Sequence, residues 1–189
     1  SKTIAGTELE NVFDITLTVE TPQKVEEFYQ EPDMAVVIVM DISNTMNSAF
    51  GDYTRYTAAM AAAESFLDKF AGASNGVSKI GYVAFNTDAH KILDLQACSN
   101  TSQANALKDL MRTETGKIIN APGYGDSKKR FTNVEAGLKM GWDMVKNAPN
   151  PNKYIIFLSD GFPTTYISSG YTGYDTYDTT GSIFKDRVL

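Results

Sequence analysis

Thiols are all but missing from this sequence. Cys98 is the one cysteine in 189 residues, which excludes an intrachain disulfide and any thiolate metal cluster. Cys98 is therefore expected to be a small, partly buried residue. Histidine is equally scarce: His90 stands alone and reads as a surface or strand-start residue rather than a ligand. The one tryptophan, Trp142, falls in an amphipathic stretch and is expected in the core. Long apolar runs are absent too. None approaches the ~20 residues that a bilayer span requires, so no membrane insertion is expected of this segment. Positive charge is in short supply, 17 Lys and Arg against 23 Asp and Glu for a net −6, which argues against nucleic acid or anionic membrane as partner. The opening SKTIAGTELEN lacks the apolar core of a signal peptide, but a chain that begins at Ser1 says nothing about secretion.

What is present is a change of pattern partway along. In NVFDITLTVET (11–21), Val12, Asp14, Thr16 and Thr18 alternate with Phe13, Ile15, Leu17 and Val19. Period two predicts a strand with one solvated face. Pro22 and the charged QKVEEFYQEPD divide it from the rest of the chain, so residues 1–30 are expected to be one module and 31–189 another. From Met34 the strands stop alternating, as in sheets covered on both faces. MAVVIVMD (34–41), SKIGYVAFN (78–86), the short HKILDL (90–95) and KYIIFLSDG (153–161) are these strands, the last also expected to be buried. Helical spacing places YTAAMAAAESFLDKFA (56–71), SQANALKDLMRT (102–113) and NVEAGLKMGWDMVKN (133–147) between them, the first with Ala59, Ala63, Phe66 and Phe70 on one face. Alternating elements of this kind predict an α/β fold, Rossmann-like and doubly wound around a mainly parallel sheet. The loop NAPGYGDSKKRF carries Gly123, Gly125, Lys128 and Lys129. Without a strand feeding it or Walker spacing, it does not make a phosphate loop.

Two strand ends hold the chemistry. Asp41 and Asp160 each close an apolar strand, on the edge where open parallel sheets bind ligands. Ser43 and Thr45 follow Asp41 at alternate positions, and Thr132 lies where a loop enters a helix on the same side. Two carboxylates and three hydroxyls are the donors that a hard divalent cation takes. Mg²⁺ prefers such an octahedral oxygen set at about 2.1 Å. The plain alternative is that Ser43 and Thr132 are helix caps.

DISNT followed by Met46, then FTNVEAGL, then LSDGFPT together resemble the von Willebrand factor A domain and its metal-ion-dependent adhesion site. The resemblance covers about residues 34–165. It implies a metal set of Asp41, Ser43, Thr45, Thr132 and Asp160, with Thr45 in place of the usual serine. It implies Mg²⁺ as cofactor, with Mn²⁺ or Ca²⁺ possible, and an acidic group from an extracellular protein or glycan completing the metal shell, without enzymatic chemistry. ENVFDITLTVET ahead of such a domain is similar to surface adhesins at the tips of Gram-positive pili, where a strand of an immunoglobulin-like (Cna-type) stalk domain precedes the A domain. That implies a bacterial cell-surface location, and Lys2 or Lys24 with Asp14 as candidates for an isopeptide cross-link, against the simpler reading of solvated surface charge.

The resemblance also sets an expectation about the end of the chain. The family fold has two further strands, so the domain is expected to be truncated, its remainder supplied by the rest of the adhesin or by a second chain. The 28 residues beyond Gly161 are polar and rich in Tyr, Thr and Gly. They are expected to form an insertion loop over 162–189, or an arm over the metal whose tyrosines supply contact area. A competing class is the haloacid dehalogenase-like phosphatase, with Asp41 as nucleophile and Mg²⁺ held by Asp160. Against it, Ser43 stands where the general acid belongs, and GFPT carries no second carboxylate. A metal-free structural domain is the third reading.

Overall fold

The computed structural model describes residues 2–6, 13–17, 33–74, 76–121, 131–167 and 174–176. The chain divides into two compact units, Ser1–Gln30 and Glu31–Leu189. In the first, β1 (Lys2–Gly6) pairs antiparallel with β2 (Phe13–Leu17). The alternating stretch is thus one arm of a pair whose other arm the sequence pattern did not reveal. Asp14 pairs with Ala5 and Lys2 with Leu17; Lys24 lies outside the described residues.

The second unit is built on a four-stranded sheet. Its strands are β3 (Met34–Asp41), β6 (Lys79–Phe85), β7 (Ala89–Ala97) and β8 (Asn152–Leu158), in the order β7-β6-β3-β8. β3 runs parallel to both neighbours, and β7 is antiparallel to β6. His90 is the second residue of β7, a strand start as expected. β4 (Ala49–Phe50) and β5 (Tyr53–Thr54) form a small hairpin ahead of the first helix.

Helices cover both faces, which is why β3 is apolar throughout and buried from Ala35 to Asp41. One face of β3 (Val36, Ile38, Met40) meets α1 (Arg55–Ala73) and α2 (Thr101–Ile119) through Met60, Ala63, Leu67, Phe70, Leu107 and Met111. The buried stripe of α1 centres on Met60, Ala63, Leu67 and Phe70, which leaves Ala59 and Phe66 at its border. The other face (Val37, Val39, with Val83 and Phe85 of β6) meets α3 (Val134–Val145). Here the approach is close. A Cβ on Gly137 would lie 2.7 Å from the Phe85 ring, and one on Gly141 2.7 Å from Val39 Cγ2.

Four expectations need correction. Trp142 is 56% exposed, because small residues (Ala136, Gly137, Gly141) and Val145 form the buried face of α3. The helix expected over 102–113 continues to Ile119, since Thr115 is buried and its hydroxyl meets the Tyr82 hydroxyl at 3.3 Å. Cys98 is fully buried. KYIIFL is not a buried strand: β8 is the sheet edge among the described residues, with Tyr154 52% and Phe157 36% exposed. Phe157 stacks on the Phe85 ring, the two centroids 5.5 Å apart.

Beyond Gly161 the structure is not all loop. β9 (Thr165–Ile167) pairs antiparallel with β10 (Tyr174–Thr176). Gly123, Gly125, Lys128 and Lys129, and most of 168–189, lie outside the described residues.

Candidate functional site

Sheet order places the site. From β3 the chain passes to β6 on one side, then returns after α3 to β8 on the other. The carboxyl ends of β3 and β8 therefore flank the point where the winding direction reverses, where open α/β sheets form a crevice. The register pairs Met40 with Leu158, so Asp41, which ends β3, and Ser159, just past β8, are the next residues along. Ser159 Oγ donates to Asp41 Oδ2 at 2.7 Å across 118 positions.

A chain of hydrogen bonds joins four of the five expected residues. The Ser43 amide donates to Asp41 Oδ1 at 2.8 Å, which folds the loop back on the strand end. Ser43 Oγ lies 3.2 Å from Thr45 Oγ1, which donates to Asp160 Oδ1 at 2.9 Å. Thr132 is placed differently. Its amide donates to Thr164 Oγ1 at 2.8 Å, and its carbonyl accepts from the amides of Thr164 and Thr165 at 2.9 and 3.3 Å. Thr132 is thus tied to the segment just past Asp160, and among the described residues no hydrogen bond links its hydroxyl to the other four.

The capping alternative can be followed residue by residue. Ser43 precedes a short 3₁₀ turn, Asn44–Asn47, yet its side chain makes no capping hydrogen bond. Thr132 does not cap α3 either. Asn133 does, accepting from the Ala136 amide at 3.0 Å while its Nδ2 donates to the Thr87 carbonyl at 3.0 Å. α1 is capped by Thr54 in a reciprocal pair with Thr57. Neither Ser43 nor Thr132 spends its hydroxyl on a helix end.

Electrostatics point the same way. Asp41 is fully buried, and burial pushes its carboxyl above the usual aspartate range. Hydrogen bonds from Ser159 and from the amide and hydroxyl of Ser43 pull it back, while the nearby charge of Asp160 adds to the rise. Two carboxylates in a half-dry crevice call for a positive charge. The donor set of carboxylate and hydroxyl oxygens fits a hard divalent cation.

Three residues of the site escaped the sequence reading. Ser159 was visible as the hydroxyl beside Asp160, but its partner is on another strand. Thr164 holds Thr132, a contact across 32 positions. Arg55 forms an ion pair with Asp160 Oδ2 across 105 positions and left no local signal. Beside that pair opens a cleft of about 490 Å³, lined by Phe50, Arg55, Phe157 and Asp160 among others.

The chain matches the family model of the von Willebrand factor type A domain over residues 36–162. No curated protein matches it. Among solved structures it is similar to the vWF domain of the type V pili tip protein Mfa5 from Porphyromonas gingivalis, at 21% identity and TM-score 0.54, covering 76% of this chain and 43% of that one. It is also similar to the PilB minor pilin from Streptococcus sanguinis, at 21% identity and TM-score 0.58, covering 75% and 33%. The pilus adhesin SpaC from Lactobacillus rhamnosus GG aligns at 20% identity and TM-score 0.51, covering 87% and 19%. The chain spans less than half the length of each of these proteins, and at such identities the likeness is one of fold. With the family match running across the sheet from β3 to the residues just beyond Asp160, the chain belongs to the von Willebrand factor type A domain family.

Proposed function

We propose that this domain binds a divalent cation, Mg²⁺ foremost and Mn²⁺ or Ca²⁺ as substitutes, through Asp41, Ser43, Thr45, Thr132 and Asp160. In this reading the metal takes an acidic group from an extracellular protein or glycan, and the domain acts as an adhesin without enzymatic turnover. A bound divalent ion would supply a concentrated positive charge that attracts an acidic group. The chain supplies the rest. Asp41 and Asp160 would hold the ion with their carboxylates, and the hydroxyls of Ser43, Thr45 and Thr132 would supply the further oxygen donors.

One observation carries the reading. At the winding reversal of the sheet, the Ser43 and Thr132 hydroxyls are not spent as helix caps, and the hydroxyls of Ser43 and Thr45 lie between the two carboxylates. A bacterial cell-surface location within a longer adhesin belongs to this reading, and the fold likeness to pilus proteins supports it. Among the described residues no helix is long and apolar enough to cross a membrane. Residues 1–30 are then a strand segment of an adjacent stalk domain.

Calorimetric titration of the chain with MgCl₂ tests the metal. Wild type is expected to bind, and Asp41→Ala to lose binding while its far-ultraviolet circular dichroism stays unchanged. Equal affinity in the variant removes Asp41 from the site and the reading with it.

A further inference from the structure

Two carboxylates at one strand edge need a cation, and the chain brings one of its own. Asp41 is fully buried and the Asp160 side chain is 8% exposed. Both oxygens of Asp160 are engaged, Oδ1 by the Thr45 hydroxyl and Oδ2 by the Arg55 guanidinium. A guanidinium there lowers the net charge of the carboxylate pair from two negative charges to one. That relieves the like-charge cost in the absence of metal. The same positive charge opposes a divalent ion arriving at the same oxygens.

The two members of this ion pair differ in their freedom. Asp160 lies just past β8 and is held by Thr45. Arg55 is the first residue of α1, and its amide donates to the Ser48 carbonyl at 3.1 Å, so the helix start is anchored. Its side chain, in contrast, is 42% exposed and borders the 490 Å³ cleft. The guanidinium therefore has somewhere to go, and can leave Asp160 without moving the backbone or giving up hydration.

We infer that Arg55 is the resident counter-ion of this site, that it and a divalent cation compete for Asp160, and that metal loading turns the guanidinium out into the cleft. The inference rests on the metal reading above. It makes the metal affinity of this domain a difference between two cations rather than a property of the oxygen cage alone.

Arg55→Gln keeps a hydrogen-bond donor for Asp160 and removes the charge, which makes it the informative variant. In the full chain, calorimetry with MgCl₂ is expected to show Arg55→Gln binding roughly threefold to tenfold more tightly than wild type, as befits a half-exposed charge. Thermal melting adds a second readout. Without metal the variant should melt below wild type, and saturating Mg²⁺ should raise its melting temperature by more. If Arg55 merely positions Asp160, the affinity instead weakens. A folded Arg55→Gln chain that binds Mg²⁺ no more tightly than wild type overturns the inference and leaves the metal site standing. No Mg²⁺ binding in either chain removes both. Where Arg55→Gln does not fold, Arg55→Lys, which keeps a charge but loses the fork, should bind Mg²⁺ more tightly than wild type by a smaller factor; equal or weaker binding again overturns it.

Discussion

His90 carries a residue-scale consequence separate from the metal site. It is half-buried in β7, and burial holds its imidazolium below the ordinary value of 6.5, with the nearby charge of Asp88 opposing the shift. The fold therefore disfavours the protonated form. Stability supplied by neutral His90 is present above the unfolded value and is lost as pH falls through the lower folded one. Melting temperature should accordingly decline on acidification from about pH 7 into the range below the ordinary histidine value, and less steeply in His90→Gln. Parallel curves for the two chains would remove the effect. Asp41 shows the other side of residue-scale burial. Its charge is costly where it stands, so without metal Asp41→Asn should melt above wild type at neutral pH while losing its response to Mg²⁺. A lower melting temperature in that variant would mean that Ser43 and Ser159 over-compensate the buried charge. Neither burial was legible in the sequence, since His90 sits in an ordinary-looking strand start and Asp41 reads simply as the end of an apolar run.

At the scale of elements, α3 is held against β3 and β6 by what it lacks. Gly137 and Gly141 let the helix approach until Phe85 and Val39 occupy the space of their missing side chains. Gly141→Ala should cost about 1–3 kcal/mol by overpacking against the immobile Val39, a fall of several degrees in melting temperature. Gly72, in the last turn of α1, has nothing within 4 Å of an added Cβ. Gly72→Ala should instead be neutral or stabilise by up to ~1 kcal/mol through helix propensity. Thermal melts of the two variants side by side decide it, and equal effects would mean that α3 simply shifts outward. Helical periodicity located α3 almost to the residue. It did not show which face is inward, because its largest side chain, Trp142, points out, and the close approach uses glycines that carry no hydrophobic signal.

At the scale of the molecule, β8 decides behaviour in solution. It is apolar, it forms the edge of the sheet among the described residues, and Tyr154 and Phe157 are exposed on it. Edge strands of this composition pair with other chains unless covered. These 189 residues, prepared alone, should therefore self-associate with rising concentration. Tyr154→Lys with Phe157→Lys should return the chain toward monomer in sedimentation velocity. A wild type that stays monomeric across the accessible range would show that this edge is protected.

What the sequence determined by itself was local: the strand ends, the oxygen donors on them and the change of pattern near residue 31. Strand identity comes from runs of neighbouring side chains, and a carboxylate that stops such a run is visible without any structure. The α/β class was legible as well, because apolar runs and helical stripes alternate along the chain. Only the tertiary structure decided which ends meet. The order β7-β6-β3-β8 and the register of Met40 with Leu158 bring Asp41 beside Ser159, and Asp160 beside Thr45 and Arg55, across more than a hundred positions. It also decided that Asn133 rather than Thr132 caps α3. The reason is one of range. Side-chain pattern records whether a residue faces a core, whereas its partners depend on how distant strands stack, and short segments carry no information about that.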